Sequence, residues 1–95
     1  MSENDLRAQK AFLTALGALP VEEDNILWLV ENILADLPEH KQALLKAKFC
    51  LNGGYHYTDA ELKAIFKQDS VKALRSAVRA AMTTARAAFL QRKRR

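Results

Sequence analysis

The stretch SVKALRSAVRAAMTTARAAFLQRKRR (Ser70–Arg95) decides the fold class, because a helical reading sorts its residues onto three faces. Val71, Leu74, Val78, Met82, Ala85 and Phe89 recur at three- and four-residue steps, the spacing of a helix that buries one stripe. At about 100° per residue, Lys72, Arg75, Arg79, Arg86 and Lys93 fall roughly a quarter-turn away, beside the buried seam. Ala73, Ala77, Ala80, Thr84 and Ala87 make a third face of small residues, suited to solvent or to close approach of another backbone. Such a helix exceeds the usual length of about three turns. Its first half, Ser70 to Arg79, is therefore assigned to a partner, and its second half packs or dimerises through Met82, Ala85 and Phe89.

Working back from Ser70, Lys67-Gln68-Asp69 reads as a turn, with Asp69 or Ser70 capping the long helix. Before it, Thr58-Asp59-Ala60-Glu61 is a capping box opening a short helix whose Leu62, Ile65 and Phe66 face inward. Asn52-Gly53-Gly54 ends a third helix that runs from Pro38 to about Leu51, with Leu44, Leu45, Phe49 and Leu51 inward. A second helix opens at Val21 or Glu22, where Glu22, Glu23 and Asp24 suit the positive end of the macrodipole. Its stripe is Ile26, Val30, Ile33 and Leu37, broadened by Leu27 and Leu34. Trp28 and Leu29 lie off that stripe, so the segment is either a central helix or carries a second contact surface. A first helix, capped by Ser2 with Asp5, buries Leu6, Phe12, Leu13, Leu16 and Leu19, and ends at Gly17 and Pro20.

The expected fold is all-α: a five-helix compact domain over residues 1–91, with a helix-turn-helix-like part at 38–91, a long final helix, and a basic tail at 92–95. At 95 residues, 49% hydrophobic and 27% charged, with three glycines and two prolines, the chain suits one small helical core. Its net charge is +4, but residues 1–39 hold two basic and eight acidic groups, whereas residues 40–95 hold thirteen basic and three acidic, a net of +10. A basic half of that strength raises the local anion concentration and is a common footprint of nucleic-acid binding, although charge alone does not specify the partner. Its longest apolar run, Ile26 to Val30, is far below the roughly 20 residues of a membrane span, and Met1 to Asp5 does not open a signal peptide. A cytoplasmic protein without membrane attachment is expected. Cys50 reads as a buried structural thiol. His40 and His56 have no Cys or carboxylate at ligand-like spacing, so neither a metal nor another cofactor is expected. No phosphate loop, nucleophile elbow or paired carboxylates suggest an enzyme.

The second half resembles region 4 of bacterial sigma factors, particularly the small extracytoplasmic-function type. The similar features are Leu37-Pro38 opening a helix with Leu44-Leu45, a glycine and aromatic loop from Gly54 to Tyr57, and the capped helix from Thr58 to Phe66. Ala77 to Arg86 also looks like the family's recognition-helix pattern, with Ala81 and Thr84 at two usually basic positions and extra residues between Lys67 and Ser76. The resemblance implies a stand-alone helix-turn-helix regulator, a phage- or plasmid-type accessory protein, or a coincidence of fold, with a second helix that enters the major groove; its register at Val78 shifts the reading surface toward Arg79 and Arg86 and makes the first two turns after Ser70 a linker.

Two functional readings follow. In the first, the chain binds DNA: Lys67, Gln68, Lys72, Arg75 and Arg79 face bases or nearby phosphates, while Arg86 and the tail of Arg92, Lys93, Arg94 and Arg95 grip the backbone. RNA ranks below DNA, because aromatics for base stacking are limited to Tyr55 and Tyr57. In the second, the acidic half is a protein-interaction module, with Trp28 and Leu29 docking on RNA polymerase, another regulator or a second copy in a homodimer.

Overall fold

The computed structural model describes residues 3–18, 22–51 and 56–93. They form five helices and, among the described residues, no strand: α1 (Glu3–Leu16), α2 (Glu23–Ala35), α3 (Glu39–Lys48), α4 (Asp59–Ile65) and α5 (Val71–Lys93). The fold is all-α, as the periodicity requires.

Two apolar clusters hold the helices together, and α5 crosses both. The larger joins Phe12, Leu13 and Leu16 of α1 to Ile26, Leu29, Val30, Ile33 and Leu34 of α2, Leu45 of α3, and Ala81 and Ala85 of α5. The smaller joins Leu44 and Ala47 of α3 to Leu62 of α4 and Leu74 of α5. Val78 packs against both. Thus the first turns of α5 belong with α3 and α4, and its later turns close the core of α1 and α2. Each large side chain buried this way contributes about 1.5–3 kcal/mol.

The buried seam of α5 is richer in alanine than the apolar pattern suggests. Leu74, Ala81, Ala85 and Ala88 are buried, while Val78, Met82 and Phe89 are only partly so. Small residues at the centre of the seam let neighbouring helices approach, since the separation of packed helices is set by the side chains at the contact.

Local hydrogen bonding sets the helix boundaries. Thr58 Oγ1 accepts from the Glu61 amide (3.1 Å) and Glu61 Oε1 from the Thr58 amide (3.0 Å), completing the capping box. Ser70 Oγ accepts from the Ala73 amide (3.0 Å) and so caps α5. The ends of α1, α3 and α4 share one device. The amides of Ala18, Leu51 and Gln68 reach back to the carbonyls of Leu13, Lys46 and Lys63, and those of Gly17, Cys50 and Lys67 to Thr14, Ala47 and Ala64. That pair of bonds is a Schellman motif, which needs a left-handed residue at its corner. Gly17 (φ 73°), Cys50 (φ 59°) and Lys67 (φ 52°) occupy the three corners.

Helix α3 stops at Lys48, ahead of Asn52-Gly53-Gly54, because Cys50 itself turns left-handed; Asn52 to Tyr55 lie outside the described residues, as do Ser2, Leu19, Pro20 and Val21. Leu29 is buried in the larger core and Leu27 is the exposed leucine of α2, since the seam of α2 that meets the cluster of α1, α3 and α5 includes Leu29. Ile65 is 53% exposed, because in the short helix α4 the i, i+4 pair Leu62 and Phe66 reaches the small core and Ile65 falls on its flank. Helix α5 continues through Arg92 and Lys93, so residues expected in a tail form its last turn.

Candidate nucleic-acid interface

Helix α5 carries Lys72, Arg75, Arg79 and Arg86 and no acidic residue along its length. Lys72, Arg75 and Arg79 are exposed on the side away from Leu74 and Ala81, with Ser76 and Thr83 exposed between and beyond them. Lys72 and Arg79 are separated by about 10 Å along the axis, close to the ~12 Å width of the DNA major groove. Leu74, one turn of the same helix, is pinned under α3 and α4, so the cationic face is held on a packed scaffold.

An acidic residue organises the edge of this surface. Asp59, in the first turn of α4, lies 3.4 Å from Lys48 Nζ and 3.6 Å from Arg75 Nη2. The carboxylate suits the amino end of α4, and it steers Arg75 without burying it: the arginine side chain remains 71% exposed. Lys48 thereby joins the cationic surface, which sequence spacing does not foretell, because the contact spans three helices.

The remaining candidates divide. Lys67 is exposed at the left-handed corner between α4 and α5. Gln68 is half-buried and its Nε2 donates to the Phe66 carbonyl (3.3 Å), which ties it to the turn. Arg86 donates from Nε to Leu16 O (3.4 Å) and from Nη2 to Ala15 O (3.2 Å). It thus neutralises the carbonyl end of α1, where the macrodipole is negative, and its geometry is that of scaffold. Arg92 and Lys93 lie in the last turn of α5, and Arg94 and Arg95 lie outside the described residues.

Cys50 is half-buried rather than buried, and its Sγ lies 3.1 Å from His56 Nδ1. The two residues flank a cavity of about 380 Å³ lined also by Arg7, Ala8, Ala11, Lys48 and Phe49. Two residues that look isolated in sequence thus meet, with Cys50 at a left-handed corner. Among the described residues no three His, Cys, Asp or Glu side chains gather as metal ligands, and no helix is long and apolar enough to cross a membrane.

On α2, Trp28 is 60% and Leu27 39% exposed, flanked along the helix by Asp24 and Glu31. Of the two residues expected to dock a partner, Trp28 is available and Leu29 is not.

Compared with protein-family models, curated proteins and solved structures, the chain matches none.

Proposed function

We propose that the chain is a small DNA-binding transcription regulator in which α3, α4 and the first half of α5 act as a helix-turn-helix-like unit. One observation carries the reading: Lys72, Arg75 and Arg79 stand exposed on one face of a helix free of acidic residues, while its opposite face is anchored by Leu74. Fixed cations at this spacing suit phosphates on either side of a groove, and arginines at base edges read guanine. The likeness to sigma factor region 4 belongs to the same proposal: the stretches that carry it run from Leu37 through α4 to Ala77–Arg86 in the middle of α5, and the last of them shares Arg79 with the cationic face. Lys67 at the corner extends the phosphate contacts, and Arg86 serves the scaffold.

Titration of a labelled duplex at several salt concentrations tests the reading. Affinity falls linearly on logarithmic axes, with a slope near 0.9 per phosphate contact. Absence of binding at low ionic strength refutes it. A second reading, a protein-interaction module, is favoured by the exposure of Trp28 beside Leu27 on α2.

A further inference from the structure

The two longest single-sign stretches of the chain each leave a large apolar side chain in solvent. Between Val21 and Glu39, Glu22, Glu23, Asp24, Glu31, Asp36 and Glu39 are interrupted by no lysine or arginine, and this stretch exposes Trp28 and Leu27. From Ser70 to Arg95 there is no aspartate or glutamate, and this stretch exposes Leu90, at 46%. At 100° per residue Leu90 falls on the same outward stripe as Lys72 and Arg79. Apart from Ile65, these three are the exposed large hydrophobics among the described residues. Helices α2 and α5 already pack together through their buried sides, so neither outward face is covered within one copy.

We propose that the Trp28 face of α2 is a docking site for the outward, basic face of α5 from a second copy of this chain. Opposite charge aligns the two faces and favours their encounter. Trp28 and Leu90 supply the apolar contact at the centre, and an exposed tryptophan also accepts a guanidinium against its ring. Because the faces differ, each copy offers one of each, and the contact is heterologous. The contact stands whether or not α5 binds DNA. If it does bind DNA, duplex and second copy compete for one surface.

The test uses the full chain at low ionic strength. Sedimentation of the wild type shows growth with concentration, and Trp28→Ser or Leu90→Ser each weakens the association roughly 30-fold, as truncation of a central contact does. Glu31→Lys, which leaves the apolar residues in place, weakens it as well, and circular dichroism checks that each variant keeps its helices. Complementation is the decisive arm. The Trp28→Ser copy retains its α5 face and the Leu90→Ser copy its α2 face, so mixing the two restores a one-to-one complex. Trp28 is the single tryptophan, so fluorescence from the mixture comes from the Leu90→Ser copy alone and shifts to the blue on docking, a shift that high salt removes. A wild type that stays monomeric, an association unchanged by Trp28→Ser, or a mixture without a shift overturns the proposal. A shift produced by polylysine but not by the second copy also overturns it, assigning the face to a different basic partner.

Discussion

Arg86 Nη2 lies 3.2 Å from the carbonyl oxygen of Ala15, 71 residues earlier in the chain, so the last helix completes the end of the first. A cation at a helix's carbonyl end is worth about 1 kcal/mol when partly exposed. Arg86→Gln therefore lowers the stability measured by urea denaturation by about that amount. Under the proposed function, the salt slope of DNA binding by the folded variant stays unchanged.

Lys72 and Arg79 behave in the opposite way. Both are exposed, so Lys72→Ala and Arg79→Ala leave stability within about 0.5 kcal/mol. Each weakens binding to duplex DNA and reduces the logarithmic salt slope by about one. Unchanged slopes in both variants place the DNA contacts elsewhere.

The three Schellman corners call for substitutions of opposite sign. Nothing lies within 4 Å of a Cβ added at Gly17, so Gly17→Ala meets only the left-handed backbone penalty and loses about 1 kcal/mol. Lys67 already bears that penalty at φ 52°, and Lys67→Gly raises the melting midpoint, a gain of about 0.5–1 kcal/mol. A loss of stability in Lys67→Gly contradicts the assigned backbone.

Gln9 is buried, and its Oε1 has no hydrogen-bond partner among the described residues. Burying an unpaired amide oxygen costs about 1–3 kcal/mol. Gln9→Met, similar in length and apolar, stabilises the chain by roughly 1 kcal/mol in thermal or urea unfolding. A destabilised variant shows that the oxygen is satisfied.

Features whose physics is confined to a few neighbouring residues were legible in sequence. Thr58 with Glu61, and Ser70 before Val71, are caps readable from residue type and spacing, and both form. The seam of α5 was readable only in part. Periodicity weighs large side chains, whereas close helix contact selected Ala81, Ala85 and Ala88. In α2, apolar residues on nearly every side left rotation undetermined, and only the packing of the other helices around it decides that Leu29 goes inward. The left-handed corners at Cys50 and Lys67 carry no compositional signal, and neither does the meeting of Cys50 with His56. At the candidate interface the cations of α5 were visible as a stripe. The links of Asp59 to Lys48 and Arg75, and of Arg86 to α1, depend on how helices distant in sequence come to lie together.

Val78 touches both apolar clusters, and this has a dynamic consequence. Neither cluster keeps its share of α5 if the helix frays through that point, so both should open in one cooperative event, visible as a common rate of amide hydrogen exchange across α1, α2 and α3. A ligand gripping only the first turns of α5 would then slow exchange in α1 and α2, which it never touches.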